Sequence, residues 1–388
     1  MADTETLERE AMIREGVTEL CKKFPGEYWR ELDREQAYPT EFVKKLSEDG
    51  WLGALIPEEY GGGGLSESDA AVILEEINHQ GCNSGACHAQ MYIMGTVLRH
   101  GSDAQKQQYL PGIASGEIRL QAFGVTEPDA GSNTLAIRTR AEQQGDGTWL
   151  VNGQKIWTSR FFHSDMMLLL ARTSEVTEGK PKWWGLSTFL VDLREAGESI
   201  EARPIRTMMN HATCEVFIKN LTLPADALVG EEGMGFRYIL DGMNAERILI
   251  AAECIGDGRW FVEKGAAYAS EREVFDRKIG ANQGVQFPLA RAHAAVEAAD
   301  LMRRRASELF EAGEPCGAEG NMAKLLASEA SWQAANACMD AHGGFGFAEE
   351  YDVERKFRET RLYLTAPINN NLVLAFLGQH VLKMPRSY

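Results

Sequence analysis

The sequence has little of what usually places a chain quickly. Its seven cysteines, Cys21, Cys82, Cys87, Cys214, Cys254, Cys316 and Cys338, are odd in number and include no C-x-x-C pair. Neither a disulfide framework nor a structural metal site is implied by them, and Cys82-x4-Cys87-His88 lacks the second cluster that zinc would need. Positive charge is also short, since 40 Lys and Arg against 57 Asp and Glu leave a formal net charge of −17. Nucleic-acid binding and attraction to an anionic membrane are disfavoured, because both need clustered cations. The longest apolar run, Met166 to Ala171, falls far short of a membrane span. The first residues, Met1-Ala2-Asp3-Thr4-Glu5, lack the basic and apolar regions of a signal peptide. A reducing, cytoplasmic setting with no metal is the expectation. H-E-x-x-H, G-x-S-x-G and G-x-G-x-x-G are absent, so metalloprotease, hydrolase and dinucleotide-fold readings lose their usual support.

What is present is ordinary globular composition, 44% hydrophobic and 25% charged over 388 residues, enough chain for about two to three domains. Apolar residues recur at helical spacing up to about residue 118, as in Ala70 to Ile77 and Tyr92 to Leu98. The run Gly61 to Gly64 lacks the G-K-[ST] ending of a phosphate loop and reads as a turn between helices. From 119 to 232 the period changes to two, and Asn152-Gly153 between Thr148–Val151 and Gln154–Thr158 predicts a type I′ hairpin. Met167–Arg172, Ser187–Leu193 and Glu215–Leu223 continue the strand pattern. Helical spacing returns over 233 to 388, in segments near 236–271, 284–312 and 319–341 and a last one after Ile368. Helices, then strands, then helices is an α+β order with segregated domains.

One segment suggests more than folding. Phe123 to Asn133, FGVTEPDAGSN, places glycines where backbone can approach a ligand and sets the hydroxyls of Thr126 and Ser132 beside them. From these residues alone, a loop entering the β-region and a loop facing a planar cofactor are equally good readings. In the same way Trp157 reads either as a core tryptophan or as an apolar face for a cofactor, and Arg272 either as a surface charge or as an anion ligand.

Taken together, the segments resemble the acyl-CoA dehydrogenase family over nearly the whole chain. GALIPEEYGGGG at 53–64 and GSDAQKQQYLPGIASG at 101–116 are similar to its first helical domain. VTEPDAGSN at 125–133, KIWTS at 155–159, EREVFDRKIG at 271–280, GGFG at 343–346 and YDVERKFRETRLY at 351–363 match its signature segments in order. The resemblance implies a helical domain, a β-barrel domain and a C-terminal helical bundle, forming a homotetramer that binds FAD and acyl-CoA. It implies that Phe123, Val125, Thr126, Trp157 and Ser159 surround the flavin ring. It also implies that Arg272, Phe275, Gln283, Gly343 and Gly344 reach the FAD of a neighbouring subunit, with Ser132 and Arg247 near the substrate. An electron-transfer flavoprotein is the implied electron acceptor.

Four positions depart from the commoner family pattern: Ser159 stands for threonine, Asp276 for glycine and Asp340 for a glutamine near the FAD pyrophosphate. Pro367 falls where many members carry the catalytic glutamate, and proline is no base. The sequence Met243-Asn244-Ala245-Glu246-Arg247-Ile248 instead resembles isovaleryl-CoA and long-chain members, whose base lies on an earlier helix. Glu246 is then either a solvated helix residue or the buried base, with branched or long-chain thioesters implied. The expected activity is oxidation of an acyl-CoA to the trans-2-enoyl-CoA. The alternatives are an acyl-CoA oxidase or lyase on the same scaffold, or a non-catalytic acyl-CoA-binding member.

Overall fold

The computed structural model describes residues 4–176 and 178–386. Six helices come first: α1 (Thr4–Cys21), α2 (Gly26–Glu35), α3 (Thr40–Glu48), α4 (Glu67–His79), α5 (Ala89–His100) and α6 (Asp103–Ser115). Next come the strands β1 (Leu120–Gly124), β2 (Arg140–Gln143), β3 (Trp149–Ser159), β4 (Met166–Arg172), β5 (Leu186–Asp192), β6 (Ile200–Pro204), β7 (Thr213–Leu223) and β8 (Leu228–Val229). The long helix α7 (Gly235–Glu271) leads through a small hairpin, β9 (Glu273–Val274) and β10 (Arg277–Lys278), into α8 (Gln283–Glu311) and α9 (Gly317–His342). Helices α10 (Val353–Arg361) and α11 (Asn370–Phe376) complete the order. The helix–strand–helix succession of the sequence is thus observed.

The chain forms two compact units, each assembled from separated segments. One contains residues 36–65 and 85–243. Its eight strands make one sheet in the order β6-β7-β3-β2-β4-β5-β8, with β1 pairing parallel to β4. Strand β4 is buried along its length because it lies inside this sheet, which is why its sequence reads as a continuous apolar run. Phe189 on β5 is fully buried and meets Trp149 of β3 edge-on at 5.2 Å between ring centroids. Helix α6 enters through a capping box, in which the Ser102 hydroxyl accepts from Gln105 N–H while the Gln105 side chain accepts from Ser102 N–H. Such a cap is worth about 1 kcal/mol.

The other unit contains residues up to 35, 66–84 and 244 onward. Its centre is a helical core in which Ile248, Ala251 and Ile255 of α7, Val296 and Ala299 of α8 and Ala323, Ala327 and Ala330 of α9 are buried together. The small residues on α9 let helix backbones approach closely, so bulk is supplied from one side only. Helix α4 starts with its own capping box, Ser66 with Asp69.

The hairpin expected at Asn152-Gly153 is not formed. Strand β3 runs without a break through both residues, and neither has the positive φ that a type I′ turn requires. Gly153 is needed for a different reason, since a Cβ there would lie 2.3 Å from Thr139 Oγ1 and 2.7 Å from Thr139 Cα. Asn152 Oδ1 accepts the Asn220 N–H at 2.8 Å, beside a register shift between β3 and β7. The dipeptide therefore marks a β-bulge with close backbone approach. The chain reverses just earlier, between β2 and β3, where Gly147 has φ +89° and Asp146 Oδ1 accepts the Thr148 N–H at 3.0 Å.

Candidate active site

In the sheet-containing unit, the two segments that sequence places around a flavin lie side by side. The Ile156 N–H donates to Thr126 O at 2.9 Å. Beneath this contact Lys155, fully buried, donates from Nζ to Val125 O at 3.0 Å and to Glu127 Oε1 at 2.9 Å. Glu127 also accepts the backbone N–H groups of Arg138 at 2.6 Å and Thr139 at 2.8 Å. Burial draws the Lys155 ammonium down to about 8, while Glu127 resists a further fall. Burial pushes the Glu127 carboxyl up, but Lys155 and the two N–H donors outweigh it and leave its pKa lowered. Both partners are ionised at neutral pH, and together they form a strut that shapes the loop from Val125 to Ala130. Sequence reasoning did not select these two residues, although both stand inside the family's signature segments.

Past the strut, β3 leaves regular geometry. Trp157 has φ +61°, sits at a register shift against β7, and is 55% exposed. It is not a core tryptophan. A bulge of this kind re-aims a side chain, and a bulky residue at positive φ is strained backbone of the sort found at functional sites. Thr126 is half-buried, and its hydroxyl bonds no described residue. Ser159 Oγ accepts from Asn210 Nδ2 at 2.8 Å and lies 3.1 Å from Thr213 Oγ1. Its own proton can thus be directed to Thr213 or outward. Phe123 and Val125 pack on the cluster of Ala130, Ile137, Leu170 and Leu186, whereas Ser132 is exposed on the same loop.

In the helical unit, Glu246 is 6% exposed and Arg247 8%, both on α7 ahead of the apolar stretch Ile248 to Ala252. Glu246 is therefore no solvated helix residue. Arg247 donates to Asn244 Oδ1 at 3.0 Å, its Nε has no partner in the described structure, and burial lowers its pKa against the pull of Glu246. The Ala366–Pro367 peptide is cis, and Lys324 anchors the stretch after Pro367 by donating to Ile368 O and Asn370 Oδ1, both at 2.7 Å.

Elsewhere in the helical unit, Arg272 precedes the β9–β10 hairpin and lies 5.8 Å from the centroid of the Phe345 ring, which brings it to the Gly343-Gly344 turn. Phe275 and Asp276 form the two-residue turn with φ +53° and +58°. Positive φ at both positions explains why glycine is usual where Asp276 stands, and aspartate is one of the few other residues that tolerates it. Phe275 is 94% exposed at the tip. Gln283 opens α8 just beyond, and Asp340 is exposed on the last turn of α9, one turn before Gly343. A groove of ≈ 520 Å³ between α7 and α8, lined by Val262, Ala266, Leu289 and His293 among others, includes none of the residues that sequence assigns to the site.

Models of the acyl-CoA dehydrogenase N-terminal, middle and C-terminal domains match residues 7–117, 122–221 and 233–367. The chain belongs to the acyl-CoA dehydrogenase family. The acyl-CoA dehydrogenase fadE12 of Mycobacterium bovis is 35% identical over 100% of both chains. The glutaryl-CoA dehydrogenase of Desulfococcus multivorans is 32% identical over 91% of each. The solved complex of glutaryl-coenzyme A dehydrogenase with glutaryl-CoA has a TM-score of 0.90 at 29% identity, covering 100% of this chain and 97% of that one. As a member of this family the protein is an FAD-dependent oxidoreductase with the three-part helical, β and helical fold. Its own residues fit FAD: an exposed, strained indole at Trp157 on β3 and an uncommitted hydroxyl at Thr126, in the loop after β1, stand on segments joined by the Ile156 N–H to Thr126 O bond. Among the described residues, no helix is long and apolar enough to cross a membrane.

Proposed function

We propose that this acyl-CoA dehydrogenase converts an acyl-CoA thioester to the trans-2-enoyl-CoA, with Glu246 as the base that takes the α-proton. The observation that carries this reading is a carboxylate buried on α7, in a chain whose alternative position, Pro367, offers no carboxylate. Bound FAD supplies a two-electron acceptor for the hydride that leaves the β-carbon. Loss of a proton to Glu246 and of a hydride from the neighbouring carbon leaves the α-carbon electron pair to form the new double bond. Thr126, Trp157 and Ser159 hold the ring system, and the Ser159 proton is available to a flavin acceptor. Pro367 has no N–H, so the thioester oxygen takes its hydrogen bonds elsewhere, with the Ile368 N–H as the nearest backbone donor along the chain.

The relatives support the same chemistry. Cyclohex-1-ene-1-carbonyl-CoA dehydrogenase of Syntrophus aciditrophicus is 32% identical over 97% of this chain, and its name, like that of glutaryl-CoA dehydrogenase, gives a CoA thioester. Electrons pass on to an electron-transfer flavoprotein, and the exposed Phe275 hairpin with Arg272 completes the cofactor site of a neighbouring copy in a homotetramer. The test is anaerobic addition of an acyl-CoA panel to purified protein. Bleaching of the flavin absorbance by at least one thioester, with the 2-enoyl product recovered, supports the reading; a flavin that none of them reduces refutes it.

A further inference from the structure

Arg160 is a cation that the fold surrounds without matching. It follows Ser159 at the end of β3 and has φ +60°, a left-handed conformation that arginine adopts only where its surroundings enforce it. Its backbone is pinned on both sides. The Arg160 N–H donates to Ala212 O at 2.6 Å, and Arg160 O accepts from the His163 N–H at 3.0 Å and from the Ser164 hydroxyl at 2.8 Å. The side chain is 6% exposed, so the guanidinium lies inside the sheet-containing unit instead of out in water.

No carboxylate answers it. Among the described residues Arg160 makes no ion pair; Nη1 donates to the Gly85 carbonyl, and Nε has no partner. The side chains that meet at this turn add no negative charge. Tyr38, which lies in the field of Arg160 and Arg119, donates its hydroxyl to Ala86 O at 2.9 Å, with Gln121 Oε1 at 3.2 Å, and burial keeps the phenol protonated by pushing its pKa up. His163 stacks on the Tyr38 ring at 4.0 Å between centroids, and burial draws its pKa down, so it is uncharged at neutral pH. Gln121 is fully buried, and its Nε2 has no partner. Other buried cations are matched: Lys155 by Glu127, Lys356 by Asp257 and Arg303 by Asp300. Leaving a buried charge unmatched is costly, and groups of that kind gather at functional sites.

The charge stands one residue beyond Ser159, which with Trp157 and Thr126 makes up the proposed flavin contact, and all four belong to one compact unit. In the proposed reaction FAD takes up two electrons and one proton, so its ring ends with one more negative charge than it began with. Resting on the reading of those residues as the flavin site, we infer that Arg160 sets the redox potential of bound FAD, by favouring the reduced, negatively charged ring over the oxidised, neutral one. The protein is thereby a better electron acceptor than free FAD before any substrate binds. Burial is what gives the charge its effect, since an exposed arginine would be screened by water and salt. The neutral shell matters for the same reason, because a paired carboxylate would cancel the field.

The experiment measures the midpoint potential of bound FAD by spectroelectrochemistry, without substrate, in the native holoenzyme and in Arg160→Gln and Arg160→Lys, with free FAD in the same buffer as the reference. A nearby opposite charge shifts an ionisation by roughly one to three powers of ten. The lower figure, about tenfold in the ratio of reduced to oxidised FAD, corresponds to about 30 mV for a two-electron couple. Native FAD should be reduced more readily than free FAD, Arg160→Gln should lose about tenfold of that ratio, and Arg160→Lys, which keeps the charge, should keep most of it. A native potential at or below that of free FAD overturns the inference. So does a loss under roughly threefold in yellow Arg160→Gln, or an equal loss in both variants, which would make Arg160 a tether for the Gly85 carbonyl and nothing more. Should Arg160→Gln fail to retain FAD, Arg160→Lys decides beside the native comparison: a native-like potential supports the inference and a tenfold loss overturns it. Native protein that cannot be loaded with FAD defeats the reading of the flavin site itself, an outcome distinct from any shift in potential.

Discussion

Replacing Lys155 by methionine tests whether the strut beneath the loop from Val125 to Ala130 governs both stability and FAD binding. Methionine has similar length and no charge, so the substitution removes the ammonium without opening a large cavity. It leaves the Glu127 carboxylate, itself buried, with the N–H donors of Arg138 and Thr139 but with no cation. Breaking a buried pair by removing one partner costs 3–5 kcal/mol in general, and the two surviving donors place this case near the lower end, at about 3 kcal/mol. Val125 O loses its donor in the same step, so the loop bearing Thr126 is loosened at its root. Urea unfolding monitored by circular dichroism at pH 7, on FAD-stripped protein and again at saturating FAD, separates the intrinsic loss from the part that ligand binding masks. The stripped variant should unfold at lower urea, and FAD should restore less stability than it does in the native chain. The double variant Glu127→Gln/Lys155→Met, which removes both charges, should be less damaged than the single one, since no buried charge is left alone. A loss below about 1 kcal/mol in Lys155→Met, or a double variant no better than the single, would refute the account of this pair as a strut.

Three further outcomes are expected. Glu67 is fully buried and its carboxyl is pushed up to about 8, with Ser307 and Arg303 opposing burial; because the folded state then holds its proton more tightly than the unfolded chain, stability should fall as pH rises from about 4.5 to about 8 and level off above. Glu67→Gln should flatten that slope and gain at most about 5 kcal/mol at pH 9, and chemical denaturation across pH would show no difference in slope if Glu67 were not responsible. Glu246→Gln should reduce turnover by about 10²- to 10⁴-fold while the protein stays yellow, and α-proton exchange of a bound acyl-CoA in deuterated buffer should fall with it; undiminished exchange would assign the proton to another group. Arg272→Glu should release FAD and loosen assembly together, read by flavin absorbance and sedimentation, and retention of both would make Arg272 an ordinary surface charge.

Sequence periodicity locates elements that bury apolar residues and is blind to those that bury charged ones. The run Met166 to Ala171 announces β4, and the long apolar stripes announce α7, α8 and α9, because hydrophobic burial leaves a period. Helix α10, with the sequence VERKFRETR, is invisible on that criterion. Its buried side chains include Arg355 and Lys356, which are matched by Glu359 at 2.8 Å and by Asp257 at 2.5 Å. Asn152-Gly153 misleads because the same dipeptide serves a tight turn and a bulge, and only the distance to Thr139 tells them apart. At the candidate site, residue types and order point to Trp157, Thr126 and Glu246. The Lys155–Glu127 strut is not legible, since its partners are 28 residues apart and lysine is ordinarily a surface residue.

The division of α7 between the two compact units bears on how the chain is made. Helices α1, α2 and α4 emerge from the ribosome early, yet the helices they share a compact unit with begin at residue 244, about 160 residues after Ser84. Their closure must wait for the intervening unit to be synthesised, and the entropy of so long a loop is paid before any of those contacts form. Early helices held open in this way are exposed to aggregation and to chaperones for the duration of that wait. The same interleaving sets what can be cut out: residues 119–232 expressed alone would carry the sheet without α3, α5 and α6, which belong to the same compact unit, so a fragment drawn along apparent domain lines would leave an apolar face of the sheet bare.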